Sequence, residues 1–88
     1  MSVYRLDPID PDHASWQSST EQEGVWAGAS TPKDARDLVA DKTRVGAQGA
    51  DATSPWQDVR LTSCVLEPSV THIRPGTVVR GDGSLVGD

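Results

Sequence analysis

Acidic side chains and a histidine cluster near the N-terminus, in the segment DPIDPDH. Asp7, Asp10, Asp12 and His13 carry the oxygen and nitrogen donors that a divalent cation binds. A calcium loop also needs a glycine at its sharp bend and a bidentate acid about a dozen residues in, whereas two prolines stiffen this segment. We therefore interpret the segment as a solvated turn and predict no metal site.

The other candidates for metal or nucleophilic chemistry are Cys64, His13 and His72. Structural zinc takes four ligands at characteristic spacings, and a nucleophilic cysteine needs an exposed, electropositive setting. Cys64 instead lies within the apolar segment DVRLTSCVLE. We predict that it is a small buried hydrophobic residue.

The C-terminal segment combines glycines with Ser84, in GDGSLVG. It lacks the strand-turn-helix setting of a nucleophile elbow and the patterns of phosphate-binding loops. The tripeptide Arg80-Gly81-Asp82 matches the integrin-binding motif, but the chain opens without a secretion signal, so we interpret the match as coincidence. The sequence therefore predicts no enzyme and no cofactor.

The three tryptophans are the residues for which a binding role competes with packing in the core. Trp16 lies in an acidic segment, Trp26 alternates away from Val25 and Ala27, and Trp56 follows a proline. Tryptophan is enriched at the energetic centres of interfaces, and an acidic rim selects a basic partner. The predicted partner-binding residues are Trp16, Trp26, Trp56, Asp10, Asp12, Glu21 and Glu23.

Charge and composition exclude several classes of function. The net charge is −5, and Met1–Ser30 holds one arginine against five acids. Such a chain repels phosphate, so we predict no direct binding to nucleic acid. A single cysteine, no signal peptide and no apolar run of about 18 residues predict a cytoplasmic protein without a membrane segment.

The strongest structural signal is an apolar strand, Val25–Ala29, that leads directly into a helix. Thr31 is suited to cap this helix, Pro32 fits its first turn, and Asp34 completes a T-x-x-D box. One apolar stripe at helical spacing is formed by Ala35, Leu38, Val39 and the stem of Lys42.

Two further strands are predicted around this unit. Val3–Ile9 alternates with Tyr4 and Leu6 on one face, and a polar loop follows it. Val45–Ser54 reads as a flexible connection. Asp58–Glu67 is apolar on both faces toward its end, which predicts a central strand. In the tail, Pro75-Gly76 predicts a turn, and Asp82-Gly83 could close a hairpin between Val78-Val79 and Leu85-Val86.

These elements predict an α+β fold, a small and mostly antiparallel sheet of three to four strands with one amphipathic helix packed on one face. We assign residues 1–67 to a single domain and residues 68–88 to a C-terminal extension with a short hairpin. One helix leaves the second sheet face to be covered by the tryptophans or to bind a partner.

Three segments carry a family resemblance: YRLDPID followed by Trp16 and Ser18, then VWAGASTPKDARDLVADKT, then SPWQDVRLTSC. Together they resemble a group of small uncharacterised bacterial proteins that begin with a tyrosine-bearing strand and share such a strand-to-helix unit. The resemblance covers residues 3–64 and implies a bacterial or phage origin and a small sheet-plus-helix fold. It implies no activity and no site residue.

The leading functional hypothesis is a non-catalytic bacterial protein-binding module that uses an exposed sheet face or edge and the acidic N-terminal loop. The alternative is a phage-encoded inhibitor of a bacterial defence complex, of the anti-CRISPR kind, whose acids occupy a nucleic-acid channel. A phosphate mimic should align its carboxylates on one face, but the five acids of residues 31–60 are offset by five bases.

Overall fold

The computed structural model describes residues 2–10, 12–14, 16, 19, 21, 23–43, 54–70 and 72–86. The predicted α+β class is confirmed, since four antiparallel strands form one sheet with one helix packed against it. The elements are β1 (Ser2–Pro8), β2 (Val25–Ala29), α1 (Pro32–Lys42), a 3-10 turn (Pro55–Gln57), β3 (Thr62–Leu66) and β4 (Val78–Arg80). Val45–Ser54, predicted as a flexible connection, lies outside the described residues except for Ser54.

The sheet order is β3-β1-β2-β4, and every neighbouring pair is antiparallel. The prediction that the third strand is central is wrong, because β3 lies at an edge and pairs only with β1 among the described strands. Its apolar residues on both faces are exposed rather than buried, with Val65 at 59% and Leu66 at 51%. The strand also begins later in the sequence than predicted, because the amides of Leu61 and Thr62 both donate to the Asp58 carbonyl in a turn.

Helix α1 begins as the sequence predicts. The Thr31 hydroxyl accepts a hydrogen bond from the Asp34 amide at 3.1 Å, and Pro32 occupies the first turn. At the other end, the buried Thr43 donates its amide and its hydroxyl to the carbonyl of Val39. These bonds satisfy backbone groups that a helix end leaves without partners.

The buried face of α1 differs in part from the predicted stripe. Ala35 and Val39 are fully buried as expected, but Ala40 is buried with them and Leu38 only packs partly against the core. The helix is therefore rotated about its axis, so that its deepest contacts follow the spacing of residues 35, 39 and 43. Leu38 lies at the border of this face.

The main core contains two of the three tryptophans. Trp16 and Trp56 meet edge to face, with ring centroids 4.9 Å apart and an interplanar angle of 89°. The indole nitrogen of Trp56 donates to the Ser19 hydroxyl at 2.8 Å. Residues of the polar segment between β1 and β2 thus enter the core, which compensates for the small number of large aliphatic side chains.

Arg36 ties the helix to the start of β3. Its guanidinium donates to the carbonyl of Thr62 at 2.8 Å and to that of Trp56 at 3.3 Å. The Thr62 hydroxyl donates in turn to the carbonyl of Pro55. This polar cluster holds together α1, the 3-10 turn and one end of the β3 edge.

The described part of residues 68–88, assigned above to an extension, belongs to the same sheet and core. β4 pairs with β2, and Val78 and Val86 are buried in the main core. The predicted turn is present, with Gly76 at a φ of 76°. The hairpin also forms, since Val79 bridges Leu85 and the Val86 amide donates to the carbonyl of Val78.

Within the described ranges, none of the helical segments combines the length and the apolar content that crossing a bilayer requires.

Candidate protein-binding surface

The sheet has a helix face and an open face, because successive side chains along a strand alternate between the two. Tyr4, Leu6, Val25 and Ala27 point toward α1 and the main core. The strand register places five residues opposite one another on the open face, one from each strand and one from the return of the hairpin. This set, the cross-sheet row, consists of Val65, Arg5, Trp26, Val79 and Leu85.

Part of the open face is covered by the chain itself. Val3, Ile73 and Val79 form a second buried cluster, against which Trp26 and Val70 pack. The turn before β4 approaches the sheet so closely that a Cβ atom on Gly28 would lie 2.4 Å from the carbonyl oxygen of Arg74. Glycine is therefore required at this position, since a backbone atom cannot move aside as a flexible side chain can.

The rest of the open face remains accessible around Trp26. Its indole is only partly buried, and the Arg5 guanidinium carbon lies 5.3 Å from the ring centroid. At the two ends of the cross-sheet row, Val65 and Leu85 are 59% and 48% exposed. A shallow groove of about 170 Å³ borders the indole and is lined mainly by Val70, Ile73, Val79 and Gly81.

A second groove of about 400 Å³, the acidic groove, lies on the other side of the indole. Its charged lining residues are Arg5, Asp7, Glu23, Arg80 and Asp82. Both arginines are already ion-paired, Arg5 with Asp7 at 3.0 Å and Arg80 with Glu21 at 2.6 Å. The carboxylates of Glu23 and Asp82 therefore give the groove a net negative charge.

Two charged residues of this groove have shifted pKa values. Hydrogen bonds from the hydroxyl and the amide of Ser84 lower the pKa of Asp82, because they stabilise its carboxylate form. The hydrogen bond to Glu21 raises the pKa of Arg80. Arg80 also donates to the Leu85 carbonyl at 2.8 Å, so the arginine of the Arg-Gly-Asp tripeptide holds the hairpin closed.

The structure distributes the predicted partner-binding residues over different environments. Trp16 and Trp56 are 1% and 0% exposed, so neither indole reaches the surface of this fold. Trp26 and Glu23 line the acidic groove, and Glu21 borders it through its pair with Arg80. Asp10 and Asp12 are exposed but do not line this groove.

The residues considered for chemistry also lie apart. His13 and His72 are exposed, and among the described residues no group of three or more His, Cys, Asp or Glu side chains is placed to hold a metal ion. Cys64 is partly buried, and burial raises the pKa of its thiol, which disfavours the reactive thiolate at neutral pH. Ser84 donates its hydroxyl to Asp82 within the hairpin.

Sequence reasoning did not identify Arg5, Val65, Val79 and Leu85 as members of one row with Trp26. Period-two alternation placed Arg5 and Val3 on the same face of their strand, but alternation within one strand contains no information about register. Register and strand order depend on long-range pairing, which in this protein includes the tail.

Comparison with protein-family models, with curated proteins and with solved structures finds no match for this chain.

Proposed function

We propose that this chain is a non-catalytic protein-binding module that contacts its partner through the open face, with Trp26 at the centre of the contact. The observation that carries the proposal is the cross-sheet row, in which a partly exposed indole lies between Arg5 and Val79, and exposed aliphatic side chains stand at the two ends of the row. Tryptophan and arginine are the residues most enriched among interface hot spots, and aliphatic neighbours exclude water around them.

The rigidity of the surface supports this role. Trp26 and Arg5 lie on paired strands, and the pairing fixes their backbones relative to each other. The indole packs against the buried cluster of Val3, Ile73 and Val79. A side chain that is ordered before binding loses less conformational entropy when a partner docks.

The acidic groove favours a partner with a basic side chain next to its apolar contact. Glu23 is exposed at the groove, and Asp82, whose carboxylate form is stabilised by the hydrogen bonds from Ser84, lines it as well. A lysine or arginine of the partner placed here would meet carboxylates next to the indole of Trp26. Such complementarity contributes to specificity and to the rate of association.

The alternative proposal, an inhibitor of a bacterial defence complex that mimics phosphate, has less support. Among the described residues, four carboxylates are ion-paired with nearby bases, those of Asp7, Glu21, Asp37 and Asp58. Paired carboxylates present a weakened field to a cationic channel. The exposed acids outside these pairs include Asp10, Asp12, Glu23 and Asp82, which are compatible with a general preference for basic partners.

The proposal is tested by affinity capture from a bacterial lysate with three immobilised proteins: the wild type, Trp26→Leu and Val59→Ala. Leucine preserves apolar packing but removes the indole, and Val59 is a highly exposed valine outside the cross-sheet row. We expect proteins that are retained by the wild type and by Val59→Ala but lost by Trp26→Leu. Identical sets on all three supports, with equal thermal midpoints of the immobilised proteins, would contradict the proposal.

A further inference from the structure

The outer edge of β3 directs backbone groups away from the sheet. Ile9 donates its amide to the Leu61 carbonyl, and Glu67 donates its amide to the Val3 carbonyl, both at 2.8 Å. In an antiparallel ladder, every second residue directs its backbone amide and carbonyl to the neighbouring strand, and the residues between direct theirs to the opposite side. Leu61, Ser63, Val65 and Glu67 therefore face β1, whereas the backbone groups of Thr62, Cys64 and Leu66 point outward.

At both ends of this outward edge, the backbone groups cannot all pair with another strand. The Thr62 amide donates to Asp58 at 3.0 Å, and its carbonyl accepts the hydrogen bond from Arg36 at 2.8 Å. Beyond the other end, Pro68 has no amide hydrogen to donate. As far as the described residues show, the stretch available for pairing consists of the backbone groups of Cys64 and Leu66.

We propose that this edge pairs with the same edge of a second copy of the chain, antiparallel about a two-fold axis. Cys64 then lies opposite Leu66 of the second copy, and Leu66 opposite its Cys64, so that each pair exchanges two backbone hydrogen bonds. In this register Thr62 faces Pro68 of the second copy, which places these two end positions opposite each other. The open stretch is complementary to itself, as a two-fold interface requires.

The side chains are compatible with this register. Val65 lies on the axis and faces its own copy at a position without hydrogen bonds, where opposing side chains approach most closely. Val65 and Leu66, both more than half exposed, lose contact with water. Ser63 faces Glu67 of the second copy, so like charges are not directly opposed.

Pairing would join the two open faces. In each copy the cross-sheet row continues from Val65 to Arg5 and Trp26. The dimer would therefore present two indoles on one continuous eight-stranded sheet, and it does not depend on the partner proposed above. Because the shared edge is short, the buried area lies below the roughly 800 Å² per partner of standard interfaces, and the dimer should form only at high protein concentration.

A disulfide test distinguishes this register from other contacts. In the double variant Cys64→Ser/Val65→Cys, the new thiols face each other across the axis, at a Cα separation of about 4.5 Å that a disulfide can span. Under mild oxidation we expect dimers to form at least tenfold faster than in the control Cys64→Ser/Val59→Cys, whose cysteine replaces an exposed valine away from this edge. Equal rates in the two variants would overturn the proposal.

Sedimentation equilibrium provides the second measurement. The wild type should show a mass that rises toward the dimer as its concentration approaches about 1 mM, and Val65→Lys should remain monomeric with an unchanged thermal midpoint, since edge lysines block strand pairing. A wild type that stays monomeric over this range, or a dimer that persists in Val65→Lys, would refute pairing through β3.

Discussion

Arg5 and Trp26 lie directly opposite each other on β1 and β2, with the guanidinium carbon 5.3 Å from the centroid of the indole ring. The same arginine forms an ion pair with Asp7 at 3.0 Å, so its side chain is held from two directions. The arrangement keeps the ring beside the acidic groove rather than folded into the core. It makes Trp26 the indole of this protein that a partner can reach.

Accessibility of the indoles can be measured by fluorescence quenching with acrylamide. Because Trp16 and Trp56 are buried and Trp26 is only partly so, we expect a quenchable component in the wild type that disappears in Trp26→Leu. The emission of the variant should resist the quencher. Efficient quenching of Trp26→Leu would show that an indole of the main core reaches solvent.

The orientation of α1 predicts that an introduced charge destabilises the protein more at buried positions of the helix than at its border. Val39→Asp places a carboxylate in the fully buried centre of the α1 face and should largely unfold the domain, because an unpaired buried charge is too costly. Leu38→Asp, at the border of that face, should destabilise the protein less. Asp41→Asn on the exposed side should change stability by less than about 0.5 kcal/mol. Circular dichroism during thermal unfolding measures all three, and an equal response to Val39→Asp and Asp41→Asn would contradict this helix orientation.

The hydrogen bond from Trp56 to Ser19 predicts that removal of the Ser19 hydroxyl lowers the free energy of unfolding. Ser19→Ala leaves the buried indole N–H without its acceptor and should destabilise the protein by about 1 to 3 kcal/mol. Ser63→Ala is the control, since its hydroxyl makes only a long 3.4 Å contact with the Asp7 carbonyl. Urea unfolding provides both free energies. A loss for Ser19→Ala no larger than that for Ser63→Ala would argue against this bond.

Two surface carboxylates predict how stability changes in acid. A hydrogen bond from Lys33 lowers the pKa of Asp37, and one from Arg60 lowers the pKa of Asp58. The folded state thus binds these protons more weakly than the unfolded chain, in which the pKa is about 3.9. Their stabilisation is present above that value and is lost as the pH falls through the lowered folded values. We expect the midpoint temperature of unfolding to decrease when the pH is lowered past about 4, and we expect Asp58→Asn to weaken this pH dependence. A midpoint temperature that increases as the pH is lowered from 5 to 3 would contradict the prediction.

Local signals in the sequence predicted the elements that are locally determined. β2 has the predicted bounds, and the start of α1 follows from the Thr31 cap and Pro32. These features depend on contacts between residues a few positions apart, so the order of nearby residues is enough to predict them. The α+β class followed from the order of these elements.

Features that depend on distant residues were not predictable in the same way. β3 has apolar residues on both faces, as a central strand does, but β4 from the tail pairs beyond β2 and leaves β3 at an edge. Arg36, on a polar helix, donates to the carbonyl of Thr62, a contact 26 residues away. Trp16, in a polar segment, reaches the core through its contact with Trp56. Each depends on the final packing rather than on a local pattern.

Binding of a captured partner to purified variants tests the role of Trp26 most directly. For a protein retained by the wild type, Trp26→Leu should raise the dissociation constant at least tenfold, which corresponds to about 1.4 kcal/mol, whereas Val59→Ala should leave it within about twofold. Equal dissociation constants for the wild type and a folded Trp26→Leu would show that the partner binds elsewhere and would contradict the proposed surface.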